Sequence, residues 1–127
     1  MTFGFDASEG PIVVKAEVLG PDGEAVLRLG LDTGATHTVI SAAMLVAAGY
    51  DPAAAPDRVQ VTTGSGVEFA ARIPVRRLKA LGHERSGFLV LAHTLPPSAG
   101  VDGLLGLDFL RGLTLTVDFR EGKIVLK

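Results

Sequence analysis

The sequence predicts an all-β domain carrying two short helices, and three observations lead there. Apolar and polar residues alternate over short runs, the pattern of half-buried strands. Glycine and proline punctuate those runs where tight turns need them. Only two stretches, after Ser41 and after Gly106, read as helix, and both are brief. With 127 residues, the chain is expected to form one domain spanning residues 1–127.

Ile12 to Leu19 is rich in β-branched and aliphatic residues and reads as a strand. Gly20-Pro21-Asp22-Gly23 supplies a turn, and Ala25, Leu27, Leu29 and Leu31 then alternate with Val26, Arg28 and Gly30. That second strand delivers Asp32 at its carboxyl end. Thr36 to Ile40 is again β-rich. Ser41 is an N-cap for a helix over Ala42 to Ala48, which Gly49 closes. The Asp51 to Pro56 stretch, with two prolines, is loop.

Val59 to Thr63 and Val67 to Val75 flank Gly64-Ser65-Gly66 and form a hairpin whose second arm alternates Val67, Phe69, Ala71, Ile73 and Val75. The apolar phase slips between Val75 and Leu78, which predicts a bulge. Gly82-His83 turns, Phe88 to Ala92 is a buried strand, and His93 to Gly100 is loop. Leu107 to Arg111 reads as a short helix stopped by Gly112. Leu113, Leu115 and Val117 alternate with threonines, Arg120 to Lys123 turns, and Ile124 to Leu126 closes a terminal hairpin.

Composition narrows the function. Twelve basic and 14 acidic residues are scattered along the chain for a net charge of −2, and no basic stripe offers nucleic acid a surface. Cysteine is absent, which excludes disulfides, thiolate metal sites and cysteine nucleophiles. The three histidines, His37, His83 and His93, lack ligand-like spacing, so no metal and no cofactor is expected. Hydrophobic residues make up 47% of the chain, a surplus that a dimer interface would absorb. The longest apolar stretch, Ala42 to Tyr50, is too short to cross a bilayer, and Met1 to Asp6 lacks the features of a secretory leader. The expectation is a soluble, cytoplasmic protein without membrane contact, although a trimmed anchor would leave no trace.

One segment carries chemistry. Leu29-Gly30-Leu31-Asp32-Thr33-Gly34-Ala35-Thr36 is an apolar strand ending in Asp-Thr-Gly. Alone, the tripeptide is also an ordinary turn. A second block, Val101-Asp102-Gly103-Leu104-Leu105-Gly106-Leu107-Asp108-Phe109-Leu110, follows in order, with the glycine-tipped hairpin between the two. Together, over roughly Ile12 to Phe119, these elements resemble the retropepsin-like aspartic peptidases, above all the single-domain bacterial ones.

The resemblance implies a closed, retropepsin-like β domain in which Asp32, Thr33 and Gly34 form the catalytic loop and the hairpin serves as a flap. Ala35, Thr63, Gly64, Ser65 and Gly66 would then contact a peptide or protein substrate, with Leu31, Val39 and Leu104 nearby and His37 close to the cleft. Hydrolysis without a metal needs a base to activate water and an acid to protonate the scissile carbonyl. Paired carboxylates supply both, and aspartic proteases are the standing example of such a pair. The sequence holds one Asp-Thr-Gly, so the resemblance requires a homodimer in which two copies of Asp32 meet, with Thr33 bonding across the pair. A binding or dimerisation module of the same fold with little or no peptidase activity is the alternative. A two-carboxylate glycosidase is a weaker one, because one loop per chain builds no long sugar cleft.

The chain also departs from the retroviral pattern. Those enzymes often pair an acidic residue two positions after the motif glycine with an arginine just after the second block's glycine. Here the positions hold Thr36 and Leu107, so another contact must do that work.

Overall fold

Alternation decides which face of the first hairpin turns inward. The computed structural model describes residues 1–64 and 66–127, Thr63 by its backbone alone. Strands β2 (Val13–Gly20) and β3 (Gly23–Leu31) pair from Val13↔Gly30 to Gly20↔Gly23 across the turn Pro21-Asp22. Val14, Ala16, Val18, Ala25, Leu27 and Leu29 are buried, whereas Lys15, Glu24, Val26 and Arg28 face solvent. A preceding strand, β1 (Thr2–Gly4), was not anticipated. Three residues with only Phe3 partly buried carry too little periodicity to be read.

After β3 the chain forms the two-residue β4 (Val39–Ile40) and the helix α1 (Ala42–Ala47), whose first turn is capped by the Ser41 hydroxyl accepting from the Met44 N–H. Next come β5 (Arg58–Thr63), the long β6 (Gly66–Ala80) and β7 (His83–Ala92). β7 begins at His83, five residues before the expected start at Phe88, because its first half pairs with β6 while keeping polar side chains outward. The β6–β7 turn is Leu81-Gly82, with φ of 52° and 78°. Leu81 tolerates the left-handed conformation while its side chain is buried in the core.

No bulge interrupts β6. Its pairs with β7 run from Ala71↔Ala92 to Val75↔Phe88 and resume from Arg77↔Ser86 to Ala80↔His83 without an inserted residue. The apolar phase nevertheless slips, with Ala71, Ile73 and Val75 buried on one side of the break and Leu78 and Ala80 on the other. The cause is a change of neighbour: β6 pairs with β5 up to Ala71 and with β2 from Arg77 to Ala80. At the transition the Tyr50 hydroxyl accepts from the Arg76 N–H (2.8 Å) and donates to the Leu19 carbonyl (2.7 Å). One phenol thus fills the gap in the ladder.

The sheet order β2-β3-β8-β4-β7-β6, with β6 returning to β2, closes a six-stranded barrel in which β8 is Gly103–Leu105. β5 hangs outside that ring on β6. The short helix α2 (Leu107–Leu110) sends Phe109 and Leu110 into the core. Strands β9 (Leu115–Asp118) and β10 (Lys123–Leu126) form the expected terminal hairpin and, with β1, a separate three-stranded sheet. Ile124 and Leu126 from it join the barrel core. Among the described residues the fold is all-β with two short α-helices. Among the described residues no helix is long and apolar enough to cross a membrane.

Tyr50→Phe should lower unfolding free energy by about 1–3 kcal/mol, since it leaves a backbone donor and acceptor without their partner. Urea titration with an unchanged m-value would show it. Equal midpoints would mean that water replaces the phenol at no cost.

Candidate active site

Asp32 stands where the barrel's strand pattern is forced to change. β3 runs parallel to β8 (Leu29↔Gly103 to Leu31↔Leu105), and β8 runs antiparallel to β4 (Val39↔Leu104). β8 therefore lies between two strands joined by the Asp32 loop, and that loop must cross the end of β8. The Asp32 N–H extends the ladder by one bond, to the Leu105 carbonyl at 3.0 Å. The chain then turns, with the Ala35 N–H on the Asp32 carbonyl at 3.2 Å.

The turn aims a backbone donor at the carboxylate: Gly34 N–H bonds Asp32 Oδ1 at 2.9 Å. A Cβ at position 34 would lie 3.2 Å from that oxygen, closer than ordinary packing permits. Asp32 and Ala35 are half-buried, and Thr33 and Gly34 are exposed at the protein surface.

The crossing needs space that only glycine leaves. A Cβ on Gly106 would approach the Ala35 and His37 carbonyl oxygens to 2.8 Å. Immediately after it, Leu107 and Asp108 donate their N–H groups to the Ala35 and Thr36 carbonyls at 2.8 and 3.2 Å. The start of α2 thus satisfies the loop's acceptors while the loop satisfies the helix's free donors.

A second contact that holds the loop lies beside it. Thr38 is 0% exposed, yet each of its polar groups is bonded. Its N–H meets both Asp108 carboxylate oxygens at 3.0 Å, and its hydroxyl donates to Asp108 Oδ1 at 2.7 Å. The same hydroxyl accepts from Gly106 N–H at 3.1 Å, and the Thr38 carbonyl accepts from Leu91 N–H at 2.9 Å. Asp108 is therefore committed to holding the loop. Asp102 braces the other side, accepting from Arg28 N–H at 2.8 Å. Arg85 caps α2 by donating to the Phe109 and Arg111 carbonyls, its guanidinium 5.6 Å from the Phe109 ring centroid.

The outer hairpin has a role that its alternation conceals. Gly66 to Ala70 pair with β5 alone, so this part of β6 leaves the barrel as a two-stranded ribbon. Val67 and Phe69 share the face that is core from Ala71 onward, but here they are 57% and 68% exposed. The opposite face, with Val61 and Glu68, closes a cavity of about 650 Å³. Its floor includes Val39 and Leu104, and its far wall is the loop His93 to Pro96.

Of the residues expected at the cleft, Val39, Gly64 and Leu104 line this cavity, while Leu31, Ala35 and Gly66 do not. Thr63 pairs with Gly66 through its backbone, and Ser65 lies outside the described residues. His37 lines a different cavity with Arg72 and Arg85. Glu68 and His93 face each other across the first cavity, 3.7 Å apart. Neither they nor the Thr38–Asp108 pair was foreseen. The one signal available was an acid inside the apolar second block, where a buried charge needs a partner.

The sequence profile of the family described as "Aspartyl protease" matches residues 14–109, from the first core strand through the helix behind the loop. The chain belongs to that family. No curated protein gives a significant match. Among solved structures, a retropepsin-like aspartic protease from Rickettsia conorii superposes with a TM-score of 0.74 at 18% identity, covering 99% of this chain and 88% of the other. At that identity the likeness is one of fold. The family's matched span contains both the Asp32 loop and the Thr38–Asp108 contact that secures it.

Asp108→Ala should destabilise the protein by about 2–4 kcal/mol, because the Thr38 N–H and hydroxyl lose their acceptor inside the protein. Thr38→Val removes one side of the same contact. The double variant should therefore fall short of the sum by on the order of 1 kcal/mol in chemical denaturation. Strict additivity would show the two side chains acting independently.

Proposed function

We propose that the chain is one half of a homodimeric aspartic endopeptidase, with Asp32 of each copy forming the catalytic pair. The observation that carries this reading is the Asp32 loop itself: a half-buried carboxylate held by the Gly34 N–H, flanked by exposed Thr33 and Gly34, in a chain of the aspartyl protease family. A loop built so firmly yet left open at its tip suits a surface that meets its own copy on a two-fold axis.

The chemistry follows from proximity. Two carboxylates about 3 Å apart cannot both ionise, so they share one proton. The ionised member accepts a proton from water as that water attacks the scissile carbonyl carbon. The protonated member donates to the carbonyl oxygen, and the resulting tetrahedral diol collapses with proton transfer to the leaving nitrogen. Thr33, exposed beside Asp32, would bond to the other copy's loop and fix the distance between the two acids. Gly34 keeps the carboxylate aligned through its N–H.

Substrate would lie extended between the pair and the ribbon, which acts as the flap. Such a peptide binds largely through main-chain hydrogen bonds, with alternate side chains entering pockets. Leu104 lines the cavity and adjoins Leu105, whose carbonyl accepts the Asp32 N–H, so a pocket residue and the residue that anchors the acid's backbone are neighbours on β8. Ala35, Gly64, Ser65 and Gly66 are the substrate contacts in this reading, together with the backbone of Thr63.

Two measurements test the proposal together. Sedimentation at micromolar concentration should give a mass twice the 13.2 kDa of the chain. Asp32→Asn should keep that mass and lower peptide cleavage by roughly 10³ or more, since it removes the shared proton. A monomer that stays active on dilution, or an Asp32→Asn protein that cleaves at the wild-type rate, would sink it.

A further inference from the structure

The cavity between the ribbon and the barrel is not uniformly apolar. Val39, Val61, Leu95 and Leu104 form hydrocarbon walls, and among the described residues Glu68 and His93 are the ionisable ones that line it. Glu68 projects from the ribbon, and His93 sits just after β7 on the facing loop. Their side chains are 50% and 29% exposed, so both reach the cavity's open side.

The contact between them is loose. His93 Nδ1 and Glu68 Oε2 are 3.7 Å apart, beyond the length of a hydrogen bond. A donor arriving from outside could take the carboxylate without first breaking a strong bond. Among the described residues that line the cavity, Glu68 is the one acid, and no lysine or arginine stands there to offset it.

We infer that this cavity is a subsite for a basic side chain of the bound peptide, arginine or lysine, and that Glu68 is the residue that selects it. The inference rests on the peptidase reading for the source of that side chain. A long basic residue matches both halves of the site: its aliphatic stem covers the walls formed by Val39, Val61, Leu95 and Leu104, and its charged head reaches Glu68. Arginine fits best, because its planar fork engages both carboxylate oxygens. A wholly apolar side chain would bury the carboxylate against hydrocarbon without a partner, which is unfavourable. An acidic side chain would meet Glu68 as a like charge.

The position of Glu68 on the ribbon adds a second effect. A basic residue bound there bridges the ribbon to the rest of the cleft, so the ribbon holds down most firmly on peptides that carry one. His93 competes for the same carboxylate and tempers the preference.

Binding, measured apart from cleavage, tests the inference. Fluorescence anisotropy would follow labelled peptides binding to the Asp32→Asn protein. The peptides share one apolar scaffold in which each position in turn carries arginine, lysine, glutamine, norleucine or glutamate. At one position arginine or lysine should bind about tenfold or more tighter than norleucine, and glutamate more weakly than either. Adding Glu68→Gln should bring the arginine-to-norleucine ratio close to one. Adding His93→Ala should raise that ratio, a change opposite in sign that general loosening of the cleft would not produce. The inference is overturned by a ratio that survives Glu68→Gln, by the absence of any position preferring a basic residue, or by failure of the whole set to bind. Cleavage by the wild type is scored separately. Glu68-dependent binding of basic peptides that are never cut would keep the subsite and reject the peptidase. Cutting of basic and neutral peptides alike, regardless of position 68, would do the reverse.

Discussion

A chain that must cross the end of its own strand has nowhere to put a side chain at the crossing. The segment from Asp32 to Thr38 passes over β8 to reach β4, and a Cβ at Gly106 would collide with the carbonyls lying on it. Close approach brings peptide groups together away from water, and each must then be paired. The Leu107 and Asp108 N–H groups meet two loop carbonyls, and the Asp108 carboxylate meets Thr38. The orientation of Asp32 is a by-product of that packing: once the crossing is closed, the loop has one path and the acid one place to stand.

The elements that were legible in the sequence are those whose pattern is local. β2 and β3 could be read because the same side of each faces the core throughout, and Ser41 because a cap acts within one turn. The hairpin of β5 and β6 was legible too, but not the exposure of its outer part, since Val67 and Phe69 continue the spacing of Ala71 to Val75 while the barrel that buries those residues has ended. Spacing records which residues share a face; it does not record where the opposing layer stops. The slip after Val75 was a true signal with another cause, a change of neighbouring strand and not an added residue. The start of β7, polar on its outer face, and the short β1 carry too little contrast to show.

The candidate site divides in the same way. Asp32, Thr33 and Gly34 are contiguous and were visible as a motif, and the Gly34 N–H does lie on the carboxylate. Thr38 and Asp108 are 70 positions apart, and neither residue announces the other. The sequence did show that the retroviral ion pair was impossible at Thr36 and Leu107. Near those positions a hydroxyl and an N–H on the loop face an acid on the helix instead. Glu68 and His93 were similarly hidden, because the ribbon's fold-over brings them together.

The strands that make the crossing are distant along the chain, and this bears on the order of assembly. The β2–β3 and β6–β7 hairpins close through turns of two residues, so their ladders form cheaply and early. The β3–β8 pairing joins Leu29 to Gly103, and its loop-closure cost is met only after much of the barrel exists. During synthesis, the residues up to Thr38 emerge long before Asp108 and Gly106 can hold them. Until then the Asp32 loop has no floor to rest on, and its carboxylate has no fixed direction. A nascent or half-folded chain is thereby kept from presenting an ordered acid, whatever its concentration and whatever polypeptides lie near it at the ribosome.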